Sequence, residues 1–149
     1  MTVMLQAAPV FLPAIGLVLS PFSTLPIVLA TYFHFSLGVA ALVSSSLLLM
    51  IISAQEAVIL LFTTGILGVA IGALLAQKGV VMASFIAGVV LTAGILALTY
   101  LIQIPLFLEV ANSFSIFLAI LVFYIFSFAY SLIWNILIRR IANHLMKAK

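Results

Sequence analysis

The side chains able to do acid–base or metal chemistry are few: Glu56, Glu109, His34 and His144, in a chain of 149 residues without cysteine. None stands at the spacing of an HExxH pair, a GxSxG elbow, a phosphate loop or paired acids. Ser44-Ser45-Ser46 lies in an apolar helix, where a hydroxyl can bond the carbonyl one turn back, and no triad is suggested. The absence of cysteine excludes disulfides, thiolate metal sites and thiol catalysis. The expectation is therefore a protein that is not an enzyme and that carries neither metal nor cofactor.

Glu56 is the strongest candidate for binding. A carboxylate at the bilayer centre costs about 2.5–3.5 kcal/mol. At a helix start beside Gln55 it costs far less and favours the positive end of the helix dipole. Glu56 is then either a solvated first-turn residue or a polar ligand for a substrate entering from outside. Tyr100, Gln103, Glu109, Asn112 and Ser113 fall in the same layer on the topology given below. With Gln55 and Glu56 they would rim an apolar bundle, a plausible mouth for a small-molecule cavity. His34 can titrate near neutral pH, with a snorkelling interfacial residue as the plainer reading. His144 belongs to a basic helix end that meets solvent or anionic headgroups.

The elements that must hold these residues are set by composition. Apolar residues make up 68% and charged residues 5%, against about 45–50% and 25% in soluble domains. No Lys or Arg precedes Lys78. A soluble surface cannot be made from this inventory, so the chain is an integral membrane protein. Residues 1–149 leave no room for a soluble domain and form a single membrane domain. The net charge of +3 reports topology and not nucleic-acid binding. No basic region opens the sequence and no processing site follows its first apolar run, so no cleavable signal peptide is expected.

Runs such as Ala40 to Ile52 and Ile116 to Ile125 are apolar on every face, which excludes the alternation of a barrel strand and predicts an all-α polytopic bundle. Prolines, polar clusters and charges divide it into six helices, at about 3–20, 22–34, 36–53, 56–77, 80–104 and 113–146. Five result if residues 22–53 form one tilted helix. The first contains Pro9, Pro13 and Gly16 and is expected to be kinked or irregular. Arg139, Arg140, Lys147 and Lys149 mark the C-terminus as cytoplasmic under the positive-inside rule. Lys78, two helices earlier, falls on the same side, with Gln55-Glu56 and Glu109-Asn112 facing out. The N-terminus is inside with six helices and outside with five.

Helices in lipid associate through close backbone approach. Gly65, Gly68, Gly72 and Ala76 line one strip of the fourth segment, which serves either packing within the bundle or docking of another subunit. Phe114, Phe117, Phe123, Tyr124, Phe126, Phe128, Tyr130 and Trp134 crowd the last helix. Trp134, just over a turn before Arg139, suits the interfacial belt.

Leu25-Pro26-Ile27-Val28-Leu29, then Thr31-Tyr32-Phe33-His34 and Gly38, resembles the YybS-like family of uncharacterised bacterial membrane proteins. A proline-led short helix, a turn before a Gly-containing third helix and the Gly65–Lys78 run carry the resemblance over about residues 20–100. The basic residue usual before Gly38 is replaced by Tyr32 or His34, and the basic cluster after the fourth helix is reduced to Lys78. The family is similar in layout to the substrate-binding S components of energy-coupling-factor vitamin transporters, which are six-helix bundles. The resemblance implies a bacterial inner-membrane protein that takes a small molecule from outside and docks on membrane subunits through small-residue faces. Gly68 and Gly72, or Ala7, Ala8 and Ala14, are the docking candidates it implies. A structural or assembly subunit without a ligand is the alternative.

Overall fold

Prolines and short polar residues decide where the first third of the chain turns. The computed structural model describes residues 1–75, 77–102 and 116–147. Helix α1 (Thr2–Phe11) stops at Leu12, whose φ of −138° and ψ of 83° are not helical, and Pro13 starts α2 (Pro13–Leu19). A proline suits that first position because its missing N–H would have no partner there. Ser20–Ser23 is a 3-10 turn holding Pro21, and α3 (Thr24–Phe33) carries Pro26 in its first turn. At about 1.5 Å per residue, the ten-residue α1 and α3 reach only about 15 Å each, half of a bilayer core.

Four helical stretches are long and apolar enough to cross a membrane. They are α4 (Phe35–Ile52), the pair α5 (Ala54–Phe62) and α6 (Thr64–Leu74), α7 (Val80–Leu96) with a π-helical turn at Ala97–Leu101, and α8 (Ile116–Lys147). The all-α bundle agrees with expectation; the count of six continuous helices does not. In residues 3–20 the expected irregularity is a full break, two helices in place of one, with Pro13 starting the second after Leu12. The 22–34 segment begins as a 3-10 turn. The 56–77 span is broken at Thr63, with φ −119° and ψ −91°, and its helix ends at Leu74. There the Thr63 hydroxyl donates to the Ile59 carbonyl at 2.6 Å, the kind of local partner that lets a span be interrupted in lipid.

Extended residues end the neighbouring helices. His34 (φ −150°, ψ 128°) separates α3 from α4, and Ser53 (φ −157°, ψ 112°) separates α4 from α5. Ser53 also caps α5, its Oγ accepting from the Glu56 N–H at 3.4 Å. The α6–α7 connection lies at the same end of the bundle as Arg139, whose guanidinium donates to the Lys78 carbonyl. Arg139 Nε also donates to Asn135 Oδ1 at 2.9 Å, while Asn135 Nδ2 reaches the Val80 carbonyl and Ser84 Oγ, both at 3.3 Å. That polar clamp ties α8 to the start of α7, and Gln55-Glu56 lie at the opposite end of the α5–α6 span.

Packing follows the small residues. At Gly72 a Cβ would lie 2.6 Å from Thr31 Cβ and 2.7 Å from the Val28 carbonyl; at Gly68 it would meet Ile27 and the Thr24 carbonyl at 3.0–3.1 Å. The glycine strip of α6 is therefore covered by α3 of the same chain. Gly65 is closed by Leu42 and the Leu60 carbonyl, and Ala76 lies outside the described residues. Gly94 of α7 faces the Phe62 carbonyl at the break in the span, and Gly88 faces the Phe128 backbone at 3.1 Å. One buried cluster joins Val28, Leu67, Ile71, Leu91, Ile95, Phe123 and Ile138; a second joins Ala7, Ile27, Leu42, Leu49, Ala57 and Leu60 where α1 meets α4 and α5. Trp134 belongs to the first cluster and stacks edge-on against Phe22 at 5.5 Å. It is buried among core residues and does not face outward as a belt residue would, with Phe22 of the 3-10 turn and Tyr130 against it.

Replacing Gly72 by Val should lower stability by about 1–3 kcal/mol, the usual cost of overpacking. Gly79→Ala, where nothing lies within 4 Å of the added carbon, should be nearly neutral. Thermal unfolding of both variants in detergent micelles checks this, and equal melting temperatures would contradict the α3–α6 packing.

Candidate functional site

Polar side chains meet where α1, the 3-10 turn and the broken α5–α6 span converge. Gln6, midway along α1, is fully buried. Its Nε2 donates to Glu56 Oε2 at 2.8 Å. Its Oε1 accepts from Ser23 Oγ at 2.8 Å and from Thr64 Oγ1 at 3.1 Å, and Ser23 Oγ lies 3.3 Å from Thr64 Oγ1. One carboxamide thus joins four segments. A buried amide without partners is costly, whereas one with acceptor and donor both engaged is stable in a low-dielectric interior.

Each member has a local reason for its position. The Ser53-Ala54-Gln55-Glu56 sequence is a capping-box pattern, Ser53 holding the Glu56 amide. That fixes Glu56 in the first turn of α5, where the helix dipole favours a negative charge. Pro21 and Phe22 form the turn that brings Ser23 inward, and Ser23 is completely buried. Thr64 opens α6 directly after the break at Thr63.

Glu56 is half-buried, and among the described residues only Gln6 donates to its carboxylate. The second oxygen is left able to accept from a donor or cationic group. Arranged this way, the cluster can bind and orient; with a single carboxylate and no histidine in it, it has no paired acid and base for proton-transfer chemistry. Among the described residues no group of three His, Asp or Glu could hold a metal ion.

The residues expected to rim a cavity are placed unevenly. Glu56 sits in the polar cluster, while Gln55 beside it is exposed. Tyr100 lies in the π-helical turn that ends the α7 span and is exposed. Gln103, Glu109, Asn112 and Ser113 lie outside the described residues. Gln6, Ser23 and Thr64 were not among the candidates. Their signal is a lone amide in the first apolar run and two adjacent hydroxyl pairs, Ser23-Thr24 and Thr63-Thr64, at points where a helix begins or breaks.

Cavities among the described residues lie elsewhere. One of about 440 Å³ is lined by Leu5, Phe22, Leu25, Leu29 and Ile141 among others. Another of about 310 Å³ opens between α4 and α5 near Val43, Met50 and Leu61. A third of about 400 Å³ lies beside Thr31, Tyr32, His34 and Gln77 at the Lys78 end. Exposed His34 belongs to this last one. No family model matches the chain, and no curated protein or solved structure matches it either.

Gln6→Leu should cost about 1–3 kcal/mol, because it strips partners from buried Ser23 and Thr64 and from Glu56 together. Ser23→Ala should cost about 0.6 kcal/mol, the typical value for one hydrogen bond between membrane helices. Equilibrium unfolding in mixed micelles measures both. A Gln6 variant no less stable than the Ser23 variant would show that the amide is not the node.

Proposed function

We propose that this membrane protein is a small-molecule-binding component of a membrane complex, resembling an S component of a vitamin transporter, with Glu56 as the polar anchor of its ligand. The observation carrying this reading is the Glu56 carboxylate, half-buried and held through one oxygen by a fully buried glutamine. Ionisable groups within spanning segments are most often functional, and interrupted helices with polar residues at the break are common where membrane proteins bind substrates. The resemblance to the YybS-like family over residues 20–100 supports the same class. The matching ligand is small and largely apolar, with one cationic or N–H/O–H donor group for Glu56. Partner subunits of the complex, the bilayer and this ligand are its contacts; nucleic acid is not.

A structural or assembly subunit is the second reading, favoured by one observation: the Gln6 amide finds its partners within the chain. In that role the cluster only fastens the short N-terminal helices to the spans.

The proposed placement is the bacterial inner membrane with the C-terminus in the cytoplasm, the basic residues Lys78, Arg139 and Arg140 lying at that face. Reporter fusions after Lys149 should report a cytoplasmic location, and a periplasmic signal would reverse the assignment. Native mass spectrometry of protein extracted from its own membranes should detect a bound small molecule of defined mass. Glu56→Gln should lower its occupancy about tenfold, and Asn112→Ala should weaken it. An unliganded wild-type protein, with partner subunits still co-purifying, would favour the assembly reading.

A further inference from the structure

The span from Ala54 to Leu74 consists of two rods with different footing. α6 is fixed: its glycines at 65, 68 and 72 lie against Leu42 and α3, and Leu67 and Ile71 are fully buried. α5 is not held in this way. It buries Ala57 and Leu60 alone, and on its α4 side a space of about 310 Å³ runs between Val58 and Leu61 and the facing Val43, Leu47 and Met50. So small a buried apolar face marks a segment that opens at low cost.

Both ends of α5 are joints. Ser53 is extended, with φ −157° and ψ 112°, and Thr63 leaves the helical region at φ −119° and ψ −91°. At Thr63 the backbone ladder has a gap. Its own N–H and Oγ1 both donate to the Ile59 carbonyl, and the next bond runs from the Leu67 N–H to the Thr63 carbonyl. The intervening bonds, from Thr64, Gly65 and Ile66 back to Leu60, Leu61 and Phe62, are not made. Bending there breaks no ladder bond, and hinges act at such element-terminal residues.

A single hydrogen bond latches the rod. Among the described residues, Gln6 Nε2 on Glu56 Oε2, at 2.8 Å, is the bond that ties an α5 side chain to another element. The other end of the same carboxamide stays on Ser23 of the 3-10 turn and on Thr64, just past the joint. Gln6 therefore bridges the gap, and releasing Glu56 frees α5 while Ser23 and Thr64 keep their contacts.

We propose that α5 is a gate that pivots at Thr63, is latched by the Gln6–Glu56 hydrogen bond, and on opening exposes Gln6, Ser23 and Thr64 as a polar pocket. A cationic or N–H group that draws off Glu56 replaces the Gln6 donor and opens the gate. The oxygens beneath it, Gln6 Oε1 and Ser23 Oγ, are then acceptors for the ligand's other donors. What opens the gate rests on Glu56 as the ligand anchor; the hinge and the latch do not.

The chain has no cysteine, so introduced thiols carry spin labels without background. Double electron–electron resonance on the full chain in detergent reads the distance from α5, labelled through Ala54→Cys, to α7, labelled through Val89→Cys; both positions are exposed. A second pair, Gln77→Cys with Val89→Cys, reads the α6 end. Wild-type protein should give one distance for each pair. Glu56→Ala and Gln6→Leu should each add a population shifted by about 5 Å in the first pair, the travel of a rod about 13.5 Å long tilted by about 20°. Glu56→Gln, whose amide oxygen still accepts from Gln6, should keep the wild-type distance. In every variant the second pair should not move. An unchanged first pair in Glu56→Ala would overturn the proposal, as would a Glu56→Gln variant as open as Glu56→Ala. A shift of both pairs together would place the change in the whole bundle and overturn the hinge. A gate that opens in Glu56→Ala of a protein that binds no small molecule would support the hinge and remove only the ligand reading.

Discussion

The arrangement depends on one demand of the bilayer: a polar group removed from water must find its partner inside the protein. At Gln6 that demand is met by a single carboxamide that uses both its ends. It donates to Glu56 and accepts from Ser23 and Thr64. Those partners come from a helix start, a 3-10 turn and a break in a span, the three kinds of place where the backbone of a membrane helix is interrupted. Gln6 is the polar group through which α1, too short to cross, is drawn onto the spanning helices, and the Ser23–Thr64 contact adds a second, longer link from the 3-10 turn. Apolar burial supplies little of that attraction in hydrocarbon.

Close backbone approach is the second half of the same solution. The α3–α6 contact brings Gly68 and Gly72 against Thr24, Val28 and Thr31, and Ser23 precedes α3 directly. Packing the glycine strip therefore also delivers the Ser23 hydroxyl to Gln6 and Thr64. The break at Thr63 is accommodated at Gly94, where a side chain would overlap the Phe62 carbonyl. Small residues and polar residues thus act together: the former permit approach, and the latter fix the register at which it occurs.

Membrane insertion, the helical class and the glycine strip were readable from residue types alone, because the bilayer penalises anything else over runs as apolar as Ala40 to Ile52. The interruptions were less readable. Pro13 announces the restart at α2, and its neighbours Pro9 and Gly16 suggested a kink or irregularity rather than a full break. Thr63 carries no such warning, since threonine is compatible with a helix and its effect depends on the Phe62 carbonyl meeting Gly94. Trp134 was assigned to the headgroup belt from its distance to Arg139. Its burial depends on Phe22, a residue more than a hundred positions away, and no local pattern reports that contact.

The candidate site divides in the same way. Glu56 was identifiable as a rare acid at a helix start, and the capping pattern from Ser53 places it in the first turn of α5. Its partner Gln6 was not, because nothing in the first apolar run states which face of α1 turns toward α5. Position in sequence identifies a costly group, and only the fold identifies the group that offsets the cost. In a chain with two acids, that partner matters more than in a soluble protein, where water would satisfy the carboxylate. The glutamine is what makes a half-buried Glu56 tolerable inside the bundle, and by engaging one oxygen it leaves the other oriented as an acceptor. The same pair therefore accounts for stability and offers the one polar anchor from which binding can be argued.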